Sequence, residues 1–452
     1  MSMKKMITAI MVMAVVLVGV IVGYIVTDRR KQADEQKTAE EEASLTLFDF
    51  DADSITSVDI QNPDGHFHVE KQSGWVLTDT DYPHEMRLNT YYITNVCAAL
   101  CDLTATNKIE VEESRLADYG FADPVTVTVS DGMNARTLLI GNAAATKDSW
   151  YVKRPDDKAV YAIDYTEGEM LRGGAAFVKS IYMIEEYDVN INAVRLERGN
   201  ETVFDFVRPE SSWEITEPIR AVNIDASQIN AMLTYLTRIY YTGFPGYAED
   251  AAEYGLDKPA AVLTIATADG ESVFSFSEPT ADGTSVYVLD HQLGQIGTIS
   301  TNDTGFLNTK LNELLTTGIL DLPLSLVSSM EAQTPELQFT MEVREDGYYF
   351  DGEPVDMTNA DKTAAFKRLY DAVPEMTHDA IAPDATPEAD PECTFTITRT
   401  DGTQIVLTLI PTEDEHYLVA ADGTYTGLTV RKNAVSVTLQ NAYDQFTELN
   451  AQ

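Results

Sequence analysis

Long-step repetition constrains this chain more than any other feature. Residues 117–124 read ADYGFADP and residues 252–259 read AEYGLDKP, which puts Tyr119 and Tyr254 135 residues apart. Other landmarks recur in the same order at nearly the same step. Trp75 of SGWVLT and Trp213 of SSWEIT are 138 apart, Gly132 and Gly270 close VTVTVSDG and VLTIATADG at 138, and Tyr151 of WYVKR and Tyr287 of VYVLD are 136 apart. ITSVDIQ at 55–61 has its partner in INAVRLE at 191–197. A step this long implies duplicated domains, not the short units of a solenoid. A fainter third pass follows: FTITRTDG ends at Gly402, HYLVA holds Tyr417, and Tyr348 or Tyr349 stands where a tryptophan is expected. This third copy lacks the Tyr-Gly motif and carries the Pro- and acid-rich stretch 382–392 instead.

Each copy reads as α+β. Short alternating strands rich in β-branched and aromatic residues come first, as in ITSVDI, HFHVEK and WVLT. One amphipathic helix follows. In copy one it is expected over 88–103, with Val96, Cys97, Leu100 and Leu103 on one face. In copy two Asp225 is the expected N-cap, and Ile229, Met232, Leu233, Leu236 and Ile239 fall at helical spacing. In copy three Asn359 caps a helix bearing Phe366, Leu369, Tyr370 and Val373. The Tyr-Gly motif, in the first two copies, and three or four more strands complete the unit, with Asp-Gly hairpin signals at Gly132, Gly270 and Gly402. A further helix is expected at 306–317, with Leu307, Leu311, Leu314 and Leu315 on one stripe. The predicted fold is a tandem of mostly antiparallel sheets, each with one covering helix. In the Tyr-Gly motif the glycine is read as taking the positive φ of a sharp turn, and the tyrosine and following hydrophobic residue as pinning that turn to the core.

Ahead of the repeats, residues 6–27 carry no charge, and 22 residues span about 33 Å as a helix, the thickness of a bilayer core. Lys4 and Lys5 precede the run, Arg29, Arg30 and Lys31 follow it, and its exit lacks a small-x-small cleavage pattern. It reads as an uncleaved signal anchor. Basic residues flank both ends, so the positive-inside rule does not decide the side. The body is expected on the extracytoplasmic side, the usual result for an N-terminal anchor, with a cytosolic body as the alternative. The charged stretch after it reads as a stalk. The expected organisation is therefore anchor 1–27, stalk 28–45, and α+β repeats at 46–184, 185–320 and 321–452, the last diverged. The net charge is −42, from 73 acidic and 31 basic residues. A surface of that sign repels phosphate backbones, which argues against nucleic acid as a partner.

The residues quoted resemble the DUF4340 domain, a bacterial family of unknown function. WEITEP from Trp213 to Pro218 and YGLDKP from Tyr254 to Pro259 match its tryptophan strand and its Tyr-Gly-hydrophobic-x-x-Pro motif. Trp75 and 119–124 match in copy one, although WVLTDTDYP places its proline later. The resemblance covers residues 46–320 well and 321–450 weakly. It implies a membrane-anchored envelope protein, in some bacteria a partner of gliding-type ABC transport systems. It carries no catalytic residues to transfer.

Searching for chemistry assigns no catalytic, cofactor-binding or metal residue. Asp49 to Ser54 begins like a calcium loop, but its sixth position is Ser54 and its twelfth is Ile60, where glycine and glutamate are required. His66 and His68 face one side of a strand, with His84 nearby, and read as surface polar residues or the start of a metal site. Cys97 and Cys101 share a helix face and Cys393 stands alone, a pattern of buried fillers, with a redox or metal pair at 97 and 101 as the alternative. The glycines of RGGAAF at 172–177 lack the strand-then-helix setting of a nucleotide loop. The aromatic stretch at 240–247 offers rings for stacking or core filling, and Trp75 and Trp213 read as core anchors. The function expected is that of a non-enzymatic, membrane-anchored extracytoplasmic repeat protein, an accessory subunit of an envelope or ABC-type transport complex. A glycan- or peptide-binding envelope protein is the alternative, and a hydrolase the third reading.

Overall fold

A computed structural model describes residues 45–451 except 186 and 200. The expected anchor and all but the last residue of the stalk lie outside the described residues. Among the described residues no helix is long and apolar enough to cross a membrane. Two compact units divide between Ser180 and Ile181.

The first unit holds β1 (Ser57–Asn62), β2 (Gly65–Lys71), β3 (Trp75–Thr80), β4 (Asn107–Glu110), β5 (Val125–Ser130), β6 (Ala135–Ala143), β7 (Ser149–Lys153) and β8 (Ala159–Asp164). They form one antiparallel sheet in the order β3-β2-β1-β5-β6-β7-β8-β4. Period-2 alternation buries Val58, Ile60, Phe67, Val69, Val125, Val127 and Val129 on one face. Helix α1 (Thr90–Cys101) supplies apolar residues at helical spacing to the same core: Tyr92, Ile93, Val96, Cys97 and Leu100. Asn89 starts it by accepting the Tyr92 N–H at 3.0 Å. After β8, Asp164 caps α2 (Tyr165–Leu171), and α3 (Ala175–Val178) follows.

The second unit repeats this plan twice. Its first sheet comprises β9 (Ala193–Arg198), β10 (Glu201–Val207), β11 (Glu214–Glu217), β12 (Gly243–Tyr247), β13 (Ala261–Thr267), β14 (Gly270–Phe276), β15 (Ser285–Asp290) and β16 (Gln295–Ser300). Its second comprises β17 (Val327–Gln333), β18 (Gln338–Arg344), β19 (Gly347–Phe350), β20 (Glu353–Pro354), β21 (His378–Ile381), β22 (Cys393–Arg399), β23 (Gln404–Pro411), β24 (His416–Ala421) and β25 (Thr424–Arg431). The orders β11-β10-β9-β13-β14-β15-β16-β12 and β20-β19-β18-β17-β22-β23-β24-β25-β21 match the first sheet, with β20 added at an edge. Helix α4 (Ala226–Leu236) is capped by Asp225 and α5 (Ala360–Asp371) by Asn359, each side chain accepting two backbone N–H groups. Ile229, Leu233, Leu236 and Ile239 are buried in copy two, as are Phe366, Leu369, Tyr370 and Val373 in copy three. Both sheets feed one continuous apolar core. A buried side chain, Asn223, ties in the link between them by donating to Thr316 O at 2.9 Å and Gly318 O at 2.6 Å. The chain ends in a π-helical turn (Ala434–Leu439) and α6 (Gln440–Asn450), whose Phe446 packs on Phe350 and Phe366.

Two expectations need correction. Residues 306–317 do not form an α-helix; they make 3-10 turns at Gly305–Asn308 and Leu311–Glu313. Arg198 explains the break. Its guanidinium donates hydrogen bonds to Leu307 O, at 2.6 Å, and to Thr309 O, the carbonyls an α-helix would use itself. Leu311, Leu314 and Leu315 are buried all the same. Second, a short strand lies between each helix and the following turn: β4, β12 or β21, each pairing with the far edge of its sheet.

Candidate functional site

The repeated Tyr-Gly motif is a helix-ending cap. Glu113–Tyr119 is a 3-10 helix, and Gly120 follows it at φ 91°. The Gly120 N–H bonds Ala117 O at 3.1 Å and the Phe121 N–H bonds Leu116 O at 3.2 Å. Gly255, at φ 71°, repeats the pattern: Gly255 N–H to Ala252 O at 3.3 Å and Leu256 N–H to Ala251 O at 2.8 Å. This pair of bonds is a Schellman motif, which needs a left-handed residue and so selects glycine. Each tyrosine then meets the tyrosine that recurs with it, Tyr119 edge-on to Tyr151 and Tyr254 edge-on to Tyr287, both at 4.8 Å. In copy two the motif packs with Leu256, Leu289 and Ile296 in a small cluster separate from the main core. Since Val288 feeds the main core and Leu289 this one, the cluster lies on the opposite sheet face. In copy two the motif therefore pins its turn to this outer cluster and not to the main core. Copy three joins helix to sheet differently: the Ala382 N–H bonds Gly427 O at 2.8 Å, and Ala385 packs with Ile410, Leu418 and Tyr425.

The outward faces carry the repeats' differences. Asp59–His68, Arg195–Asp205 and Glu331–Thr340 occupy the same cross-strand position, each flanked by residues of the buried face. In the first sheet Asp59 Oδ2 lies 2.8 Å from His66 Nε2 and 3.1 Å from His68 Nδ1. The hydrogen bond to Asp59 raises the His66 pKa against the opposing effect of burial. In the second sheet the sign inverts. Arg195 reaches Asp205 at 3.3 Å, Glu197 at 3.1 Å and Glu217 at 3.2 Å. In the third sheet the position holds no such pair, and Glu342 and Arg344 pair at 2.6 Å instead.

The third sheet's unit also contains a cleft of about 680 Å³. Its walls are the C-terminal end of α5, β21, the end of β25, the π-helical turn and α6. At its rim Asp379 accepts from Arg431 Nε at 2.9 Å and lies 2.9 Å from His416 Nε2, while His416 Nδ1 is 3.1 Å from Asp414. Arg431 and then His416 hold the Asp379 carboxyl below its ordinary value, and Asp379 holds His416 above its own. His416 thus lies between two carboxylates, which favour its protonated, double-donor form. On α5, burial and the neighbouring Glu375 raise the pKa of Asp371.

Two overlapping segments, residues 75–246 and 213–395, match the family model described as domain of unknown function, DUF4340. The chain belongs to the DUF4340 family. Both matched segments open on a repeat's tryptophan, Trp75 and Trp213. No curated protein matches. Among solved structures, the DNA polymerase sliding clamp of Pseudomonas aeruginosa in a ligand complex aligns at 8% identity over 86% of this chain and 94% of the clamp, with a TM-score of 0.16. The clamp from the same organism bound to griselimycin aligns at 7% over 86% and 95%, with a TM-score of 0.13. Likenesses this weak carry no argument about the DUF4340 fold.

Within this DUF4340 chain the remaining sequence candidates take structural places. Asp51 organises a 3-10 turn, accepting the Asp53 N–H at 3.0 Å, where the calcium-loop resemblance began. His84 packs edge-on to Tyr82. Among the described residues no group of three or more His, Cys, Asp or Glu is arranged to hold a metal. Burial pushes the Cys97 thiol up to about 12 and the Cys101 and Cys393 thiols to about 11, which leaves them inert fillers. Gly173 permits close approach of Tyr92 and Phe177 and Gly174 that of Asp64, while Asn62 donates to Gly173 O and Asp64 accepts the Ala175 N–H. The aromatic stretch forms β12, buries Tyr241, and receives the Tyr254 hydroxyl on Pro245 O at 3.0 Å. Trp213 is a buried anchor bonded to Asn230, whereas Trp75 is only half-buried; Tyr348 fills the third position, stacked on Phe366 at 4.6 Å. Sequence reasoning missed the α5 cleft, because its wall residues are scattered from 368 to 445 and match no motif.

Proposed function

We propose that this DUF4340 protein is a non-enzymatic, membrane-anchored scaffold whose repeats face the extracytoplasmic side and dock onto other envelope proteins. The apolar run 6–27 supports the anchoring, and the family resemblance supports a transport complex as the assembly it serves. One observation carries the scaffold reading. The three sheets share strand order and apolar inner faces, yet the same outward position holds an acid–histidine pair, an Arg–Asp pair and a Glu–Thr pair. Copied cores with diversified surfaces suit several distinct protein contacts, since charge complementarity sets partner choice. Catalysis demands instead that groups converge on one reacting centre. Crosslinked pull-down from native membranes tests the reading: recovery of a permease or another envelope protein supports it, and recovery of the lone chain counts against it. Protease treatment of intact cells tests the side. A degraded body is expected, and a fully protected one overturns the extracytoplasmic placement.

A further inference from the structure

The cleft beside α5 is lined in part by charged side chains with no direct ion pair within the described fold. Among the described residues Arg368, Asp371 and Glu375 make no ion pair, while the Asp379–Arg431 pair at the rim is already self-compensated. The two acids also sit where the helix disfavours them. Asp371 ends α5 and Glu375 follows one turn later, so both face the negative end of the helix dipole. Burial of Asp371 and its repulsion from Glu375 add to that cost, and the attraction of Lys367 on the same helix offsets only part of it. Packing does not call for acids there, since the buried face of α5 is Ala365, Phe366, Leu369 and Tyr370. Across the cleft, the π-helical turn and α6 present the side-chain amides of Asn433, Asn441 and Gln445. π-helical turns are rare and concentrate at functional sites. The volume falls within the roughly 300–1,000 Å³ of small-ligand clefts.

We propose that this cleft binds a short basic peptide with free termini. The peptide's carboxylate pairs with the Arg368 guanidinium in a charge-assisted fork. Its ammonium groups pair with Asp371 and Glu375, relieving the repulsion between them. Its amide groups bond the carboxamides across the cleft. This goes beyond the scaffold reading and does not depend on it, so a cleft that takes no peptide leaves that reading in place.

The test is calorimetric titration of the full chain in detergent with lysyl-lysine, with the same dipeptide blocked at both ends and maltose as comparators. Saturable binding of lysyl-lysine is expected, weakened at least about tenfold by blocking the termini or by Arg368→Ala. The double variant Asp371→Asn/Glu375→Gln is expected to lose binding equally while melting at the same or a higher temperature, because removing unpaired like charges stabilises the helix end. A purely structural role for the acids would lower the melting temperature instead. No saturable binding at millimolar dipeptide, binding indifferent to these substitutions, or preference for maltose would each overturn the proposal.

Discussion

At the residue scale, two small chemistries account for the most legible parts of the sequence. The glycine of the Tyr-Gly motif is fixed by its left-handed backbone, and the two copies differ in what surrounds it. A Cβ at Gly255 meets nothing within 4 Å, whereas one at Gly120 collides with Asn142. Gly255→Ala should therefore cost about 1–2 kcal/mol, the left-handed penalty alone, and Gly120→Ala measurably more in urea unfolding. The Asp59–His66 contact gives the first unit a pH dependence. A raised folded pKa means that this contribution is complete below about pH 6.5 and fades as pH climbs through the folded value. Asp79, Asp81, His68 and Glu70 surround the pair, and Asp79 and Asp81 also favour the charged imidazole. Stability of the first unit should fall as pH rises above about 6.5, and Asp59→Asn should flatten that slope.

At the element scale, helices were readable because caps and apolar spacing agree. Asp225 and Asn359 were legible as N-caps, and their helices begin at the next residue. The stretch 306–317 has the same leucine spacing yet forms 3-10 turns, because Arg198, more than a hundred residues earlier, captures its carbonyls. A local pattern cannot reveal a competing donor from a distant strand. The edge strands β4, β12 and β21 escaped for a related reason: NKIE, GFPGY and HDAI have little alternation, and their pairing comes from the sheet edge that receives them. The cleft escaped for want of any spacing signal at all. Phe366→Ala, which removes a fully buried ring stacked on Tyr348 and touching Phe446, should cost about 3–5 kcal/mol in the second unit.

At the scale of the whole molecule, the repeat count and the unit count differ. Three sheets share one strand order, but the second and third share one core and divide from the first at Ser180. Calorimetry should show two unfolding transitions. Asn223→Ala, which leaves two carbonyls of the inter-sheet link without their donor, should move only the second unit's transition, by about 1–3 kcal/mol. The third copy's divergence was visible in the missing Tyr-Gly motif, and its altered join follows from that loss. In the proposed scaffold reading, function rests on what the outward faces meet. Photocrosslinkers placed at outward positions 59, 195 and 331 of the full chain in native membranes probe those faces directly. The scaffold account predicts crosslinks to other envelope proteins, with partners that differ between positions. Crosslinks only to the chain itself, or none from any of the three, would contradict it.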